Sequence, residues 1–178
     1  SGKLSPNSGN VIIEPNKRLS VLEQNQNEFD EYETLKTTIM GNKLLYQIKK
    51  EMDDLYSKSD FNDDDGVKVG ELQNKYEEMD GWNAESDAAS LLSQLGVNEE
   101  LHYTKMSDLE PKIKVRVLLA QALFGNPDIL IMDEPTNNLD FETITWLQNF
   151  LINYENTVIV VSHDRYFLDS VCTHISDI

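Results

Sequence analysis

The sequence has one cysteine, Cys172, among its 178 residues. A single thiol excludes an internal disulfide framework and suits a reducing compartment, so we expect a cytoplasmic protein. Long apolar runs are also missing, since none approaches the roughly 20 residues that a bilayer-spanning helix needs. The first residues lack the apolar segment of a signal peptide. We therefore expect no direct insertion into a membrane.

Basic residues are scarce as well. The chain has 15 Lys and Arg against 32 Asp and Glu, which gives a formal net charge of −17. Because Lys and Arg drive binding to phosphates, this composition argues against a large nucleic-acid surface on the chain itself. It favours a basic protein partner or simply high solubility.

The apolar residues change their spacing along the chain. Residues 34–100 carry them at helical spacing, interrupted at Gly41 and by an acidic, turn-like segment at 57–66. From residue 109 the order is helix, strand, helix, strand, helix, which predicts a doubly wound α/β core. Further short strands are predicted at 11–13, 19–22 and 174–178.

Two adjacent carboxylates follow a predicted buried strand. Four apolar residues lead into Asp133 and Glu134, and Pro135 ends the strand and favours extended geometry at Glu134. Open α/β sheets bind ligands at the carboxyl ends of their strands. One carboxylate that holds Mg²⁺ and a second that orients the attacking water suit nucleotide hydrolysis.

The apolar run at residues 157–161 predicts a second strand buried on both faces, and His163 follows it in the same way. Parallel neighbouring strands bring their carboxyl ends to one edge of the sheet, so His163 is expected beside the two acids. An imidazole there can bond a γ-phosphate oxygen and help to position the water.

Longer motifs around these residues carry a family resemblance. The segment Asp133–Asp140, DEPTNNLD, resembles the Walker B motif and D-loop of an ATP-binding cassette (ABC) ATPase, and residues 162–169, SHDRYFLD, resemble its switch-histidine segment. The pairing is most similar to the ABC-F branch, soluble proteins with two cassettes per chain that act on ribosomes. Residues 118–123 also resemble its signature helix.

The resemblance implies the C-terminal part of a P-loop NTPase ABC cassette, an α/β fold with a parallel sheet flanked by helices. Residues 1–33 would form residual core strands and the Q-loop. Residues 34–108 would form the all-helical subdomain with an arm insertion, and residues 109–178 the signature helix, Walker B, D-loop and switch histidine. The implied cofactors are ATP and Mg²⁺, and the implied partners are a second cassette of the same parent chain and the ribosome with its rRNA and tRNA.

The resemblance also implies roles for individual residues. Asp133 would bind Mg²⁺, Glu134 would be the general base, and His163 would sense the γ-phosphate. Gln24 falls at the Q-loop glutamine and would link the metal to the helical subdomain. Asp140 would contact the opposite cassette of a dimer; independently of the resemblance, its residue type and position allow it to cap the helix that follows.

The chain departs from the family in having no G-x-x-x-x-G-K-[ST] motif. The backbone amides and the lysine of that loop hold the β- and γ-phosphates. We therefore expect a cassette fragment without its Walker A loop, inactive as an ATPase on its own. The core strand that would accompany the loop is expected to be missing too, so an exposed sheet edge predicts self-association.

The signature loop is the second departure. Residues 109–114 read LEPKIK where the family has Leu-Ser-Gly-Gly-Gln/Glu-Lys. Glu110 stands in place of the serine hydroxyl that binds the γ-phosphate of the opposite cassette, and Pro111 removes one amide donor. Ser107 or Lys112 are the candidates to substitute for the lost contacts.

Three interpretations remain open. The intact parent is an ABC-F-type ATPase, the ATP-binding subunit of a membrane transporter, or a regulatory cassette that no longer hydrolyses ATP. The motif EPTNNLD and the arm insertion favour the first, whereas the altered loop at 109–114 favours the last. The arm is either an RNA-binding element or a solvated helical hairpin.

Overall fold

A computed structural model describes residues 9–10, 12–22, 25 and 27–176. Its strands are β1 (Leu19–Val21), β2 (Ile129–Asp133) and β3 (Thr157–Val161). Its helices are α1 (Thr34–Ile39), α2 (Lys43–Tyr56), α3 (Asp63–Glu78), α4 (Ala84–Gln94), α5 (Pro111–Leu123), α6 (Phe141–Ile152) and α7 (Arg165–Val171).

Within the described residues the strands form one parallel sheet in the order β1-β2-β3. The register places Ile131 beside Val21 on one side and beside Ile159 on the other. Helix α6 connects β2 to β3, as a crossover between parallel neighbours requires. The predicted α/β class, with a parallel sheet and flanking helices, is confirmed.

The two faces of the sheet differ in burial. Leu130 and Met132 point to one face and are fully buried, and on the same face the Ser20 hydroxyl donates to the Ala122 carbonyl of α5 over 2.7 Å. On the other face Ile159 and Val161 are 49% and 57% exposed. The prediction that β3 is buried on both faces is therefore wrong, because the described helices cover only one of them. Self-association through an exposed sheet edge is a separate expectation and stays a prediction.

The predicted helical region contains α1 to α4. Asn42 caps α2 by accepting a hydrogen bond from the Leu45 amide, and α2 and α3 pack against each other as the predicted hairpin. Their buried apolar positions recur every three or four residues and are Leu45, Ile48, Met52, Leu55, Val69, Leu72 and Tyr76. No described helix of the chain has the length and apolarity needed to cross a membrane.

The acidic segment between α2 and α3 is not wholly a turn, because α3 already begins at Asp63. Asn62 and Asp65 form a reciprocal capping box, and Lys58 donates to Asp65 over 2.5 Å. Acidic side chains in a first turn also interact favourably with the helix dipole. The run of aspartates therefore starts a helix, where the sequence interpretation placed a loop.

Both ends of the chain differ from the predicted strands. Ile12 and Ile13 form no strand and are 87% and 43% exposed, while Val11 lies outside the described residues. Residues 174–176 form no strand either, and 177–178 are not described. Among the described strands none pairs with Ile12 or Ile13, so these two residues have no ladder to join.

Helix α5 joins the helical region to the sheet. It begins at Pro111, two residues later than the predicted start, with proline at a position where a missing amide costs nothing. Val117 and Leu119 are at most 1% exposed and belong to one hydrophobic core that takes in both regions. The division at 108/109 stays a proposal about domains, since the two parts share this core.

Gly41 lies where the α1–α2 connection touches α5. A Cβ atom at this position would lie 1.8 Å from the carbonyl oxygen of Gln121. Replacing Gly41 by alanine should therefore push two backbones apart and lower the free energy of unfolding by about 3 kcal/mol or more. Urea denaturation followed by circular dichroism measures the change.

The matched control is Gly70→Ala, inside α3, where an added Cβ meets nothing within 4 Å. Alanine has a higher helix propensity than glycine, so the free energy of unfolding of this variant should rise by about 0.5–1 kcal/mol. Equal destabilisation by both substitutions would contradict the close approach at Gly41.

Candidate functional site

The candidate site begins where β2 ends. The Glu134 amide donates to the Val161 carbonyl over 2.7 Å, which extends the β2–β3 ladder one step beyond Asp133. Glu134 has φ 48°, in the left-handed region that residues other than glycine rarely adopt. The prediction of extended geometry before Pro135 is therefore wrong at Glu134, where the chain turns sharply out of the sheet.

The Glu134 carboxylate is held by the segment that follows β3. Its Oε1 accepts the His163 backbone amide at 3.0 Å, and its Oε2 accepts the Ser162 hydroxyl at 3.3 Å. The His163 Nε2 lies 3.6 Å from Oε1, and the His163 ring is fully exposed while the Glu134 side chain is 19% exposed. The structure thus brings together the predicted base and the predicted phosphate sensor.

Helix α7 fixes the segment that holds Glu134. Asp164 caps α7 by accepting the Phe167 amide at 3.1 Å, and Phe167 is fully buried. The Asp164 amide in turn donates to the Ser162 hydroxyl over 3.1 Å. Sequence reasoning missed Ser162, although its place directly after β3 and before His163 was a usable indication.

Asp133 is the last residue of β2 and is exposed. A single exposed carboxylate beside a ligand-binding edge fits Mg²⁺, which is usually held by one or two carboxylates together with substrate phosphates and water. Among the described residues no three His, Cys, Asp or Glu side chains converge on one point. Gln24, the other predicted metal contact, lies outside the described residues.

Asp140 caps α6 and is bound within the chain. Its Oδ1 accepts the Thr143 amide at 2.9 Å and the Thr143 hydroxyl at 2.7 Å, and its Oδ2 pairs with Arg116 of α5. The Thr143 hydrogen bonds and then the Arg116 pair lower the pKa of Asp140 from 3.8 to about 2. The capping role was predicted from the sequence, the ion pair was not, and contact with a second cassette stays a prediction.

Ser107 and Glu110 lie on a separate segment. The Ser107 hydroxyl donates to Asp108 over 2.9 Å, and its amide donates to the Asp30 carbonyl. Glu110 occupies the N-cap position of α5 without a capping bond from its side chain. Contact of this loop with the nucleotide of an opposite cassette stays a prediction.

A partly buried ion pair holds the start of α5 in place. Lys114, 8% exposed, donates to Asp30 over 2.7 Å. Asp30 belongs to the segment that follows β1 and leads towards α1. Because Lys114 is buried and the Asp30 side chain is only 33% exposed, loss of Asp30 would leave the Lys114 charge uncompensated, so the pair fixes this segment against α5.

A cavity of about 500 Å³ lies away from the carboxylates. Its lining includes Asn126, just before β2, and Glu155, just before β3, together with the aromatic rings of Trp146 and Phe150 on α6 and of Tyr154 just after it. These residues are at the amino ends of the strands, whereas Asp133, Glu134 and His163 follow the carboxyl ends. The edge that carries Asp133, Glu134 and His163 is the candidate functional site, because its side chains can bind a metal ion and accept a proton.

Comparison with known protein families gives one match that spans most of the chain. A sequence model of the family described as "ABC transporter" matches residues 1–137. The matched stretch takes in the helical region, α5, β2 and Glu134.

Individual relatives point the same way. The chain is 57% identical to the uncharacterized ABC transporter ATP-binding protein YkpA of Bacillus subtilis over its whole length and 33% of that protein. It is 50% identical to the probable ATP-binding protein YbiT of Escherichia coli O157:H7, over 99% of the chain and 33% of that protein. It is 33% identical to ABC transporter F family member 4 of Arabidopsis thaliana, over 82% of the chain and 22% of that protein. The chain thus spans about one third of the length of the first two relatives.

A solved structure supports the fold. The ATP-binding cassette MJ0796, described as a dimer in a post-hydrolysis state bound to ADP and phosphate, superposes with a TM-score of 0.53. The superposition covers 87% of this chain and 56% of that one at 19% sequence identity. At this identity the likeness concerns the fold alone.

Replacing Asp140 by alanine should lower the free energy of unfolding by about 1–2 kcal/mol at pH 7, mainly through the lost helix cap. The Asp140 side chain is 43% exposed, so solvent screens its pair with Arg116. Because the folded pKa is about 2 against an ordinary value of 3.8, the charged carboxylate stabilises the fold above pH 4. That contribution is lost as the pH falls from about 4 through 2.

Urea denaturation at several pH values tests this expectation. The difference in the free energy of unfolding between the original chain and Asp140→Ala should decrease steadily from pH 4 to pH 2. Asp169→Ala, which removes an exposed carboxylate from α7, serves as control and should show little gap at any pH. A gap for Asp140→Ala that stays constant down to pH 2 would contradict the role of the charged form.

Proposed function

The chain belongs to the ABC transporter family, and on that premise we propose that it forms the catalytic edge of one ATP-hydrolysing cassette in a longer ABC-F-type protein that acts on the ribosome. The proposal that this edge hydrolyses ATP is supported by two hydrogen bonds to the Glu134 carboxylate, one from the Ser162 hydroxyl and one from the His163 backbone amide. A carboxylate held at both oxygens has a defined direction, as a general base requires.

Glu134 is the proposed general base. The Ser162 hydroxyl and the His163 amide limit its rotation, and the side chain is only 19% exposed, so it can hold one water molecule in line with a phosphate. His163 is fully exposed and its ring is able to turn towards that phosphate without displacing any packed group. The two residues thus divide the work of accepting a proton and stabilising charge.

Asp133 is the proposed magnesium ligand. Its position one residue before Glu134, at the end of a paired strand, sets the two carboxylates at the same sheet edge. When bound, Mg²⁺ would neutralise charge on the nucleotide phosphates. Gln24 is proposed as a further contact to the metal on grounds of its place in the sequence alone.

The remaining contacts to the nucleotide would come from outside this set of residues. The sequence has no Walker A motif, so a different part of the longer protein would cradle the phosphates. In this proposal Ser107, Glu110 and Asp140 face a second cassette, and residues 34–108 act as the helical subdomain. A ribosomal site of action, with rRNA or tRNA contacts through the α2–α3 arm, is supported by the ABC-F-like motifs and by the relative named as an F family member.

Glu134→Gln in the full-length protein should reduce ATP turnover at least about 100-fold, because the amide cannot accept the proton of the attacking water. ATP binding should persist, and the protein should accumulate in an ATP-bound closed state. Phosphate release and retention of labelled ATP measure the two effects.

Glu155→Gln makes the same chemical change at an exposed position before β3 and should leave turnover unchanged. The isolated 178-residue chain should show no turnover at all. Unaltered hydrolysis by the Glu134→Gln protein would contradict the assignment of the base, and absence of ATP hydrolysis by the unaltered full-length protein would favour the regulatory cassette.

The ribosomal role is tested separately by co-sedimentation. The trapped Glu134→Gln protein should sediment with ribosomes in the presence of ATP and remain in the supernatant without nucleotide. The same protein mixed with membrane vesicles is the control. Recovery with membranes instead of ribosomes would favour the subunit of a transporter.

A further inference from the structure

Arg116 joins three segments of the chain that are far apart in sequence. It lies on α5, where its Nη1 donates to the Gly96 carbonyl over 3.1 Å, just after the end of α4. Its Nη2 pairs with the Asp140 carboxylate at the start of α6. Only 17% of the Arg116 side chain is exposed. One guanidinium therefore bridges the helical region and the loop that starts at Glu134.

The contact with Gly96 depends on the shape of that residue. Gly96 has φ 72°, and a Cβ atom there would lie 2.6 Å from the Arg116 Nη1. A planar, forked guanidinium is needed to reach a carbonyl and a carboxylate at once, which an ammonium group cannot do from one point. Glycine at position 96 and arginine at position 116 thus fit each other.

The loop from Glu134 to Asp140 is held together by its own hydrogen bonds, so a movement of Asp140 can reach Glu134. The Asn137 amide donates to the Glu134 carbonyl over 3.1 Å, and the Leu139 amide donates to the Thr136 carbonyl over 3.3 Å. Asp140 is fixed at the far end by its two bonds from Thr143. A displacement of Asp140 therefore moves a closed pair of turns whose first residue is Glu134.

We infer that Arg116 is a positioning residue that couples the end of α4 to the Glu134–Asp140 loop, so that movement of the helical region re-aims Glu134. The inference rests on the proposed function, because it assigns Glu134 the catalytic role. Arg116 acts through Asp140 and Gly96 and is not itself placed on the nucleotide. Its loss should then slow the chemical step without weakening substrate binding.

Steady-state ATP hydrolysis by the full-length protein tests whether loss of Arg116 slows the chemical step without weakening substrate binding. Arg116→Met should lower kcat about 10-fold or more while KM changes less than about 2-fold. Lys17→Met removes an exposed positive charge before β1, where its pair with Asp128 is open to solvent, and should change neither value. An unchanged kcat for Arg116→Met, or a fall in kcat that is matched by a rise in KM, would overturn the inference.

A double variant asks whether Arg116 works through Asp140. If it does, adding Arg116→Met to Asp140→Asn should lower kcat less than about 2-fold further, because the bridge is already broken. Fully multiplicative effects would overturn the proposed route. Gly96→Ala approaches the same bridge from the other side and should also lower kcat with Arg116 intact.

A spectroscopic measurement on the 178-residue chain separates coupling from loss of fold. Trp146 on α6 and Gln94 at the end of α4 line the same cavity, so Trp146 reports on the packing between these helices. In a Trp82→Phe background, which leaves Trp146 as the sole tryptophan, Arg116→Met should increase acrylamide quenching of its emission. Circular dichroism should remain unchanged.

The outcomes distinguish the inference from the proposed function. If the full-length protein does not hydrolyse ATP, the proposed function fails, while increased Trp146 quenching would still support the bridge. If it hydrolyses ATP in a Glu134-dependent way and Arg116→Met alters neither kcat nor quenching, the function stands and the inference fails.

Discussion

The parallel register between β2 and β3 is the constraint on which the site depends. It aligns Asp133 with Val161, so the residues after each strand emerge side by side, and the Glu134 amide continues the pairing. Backbone pairing therefore brings the acids and His163 to one edge, where the Glu134 carboxylate accepts the His163 amide and the Ser162 hydroxyl. A shift of one residue would turn every side chain of β2 to the opposite face and separate the groups.

Helix α5 carries the tertiary contacts that relate this edge to the rest of the chain. Lys114 binds Asp30 in the segment after β1. Arg116 binds residues at the start of α6 and just after the end of α4. The Gln121 carbonyl lies so close to Gly41 that a Cβ atom at position 41 would clash with it. Lys114 and Gln121 are seven residues apart and lie on one side of the helix, whereas Arg116 lies on another. A change of its orientation would reach the helical region and the catalytic loop together.

Much of this architecture follows from local sequence patterns. The spacing of apolar residues predicted α2, α6 and the strand at 157–161, and Asp140 was identified as a helix cap because capping needs only neighbours in the chain. The partners of Arg116 and Ser162 could not be predicted, since they depend on which distant segments pack together. The open face of β3 escaped prediction for a related reason: an apolar run indicates a buried strand but not whether a helix covers each side.

The left-handed backbone of Glu134 carries a consequence for how the chain can vary. A non-glycine residue at φ 48° costs on the order of 1 kcal/mol or more, which surrounding contacts must offset. Glycine at this position would relieve that strain and remove the carboxylate at the same time. Stability and hydrolytic chemistry therefore oppose each other at this residue, so selection for a more robust fold alone would tend to erase the base.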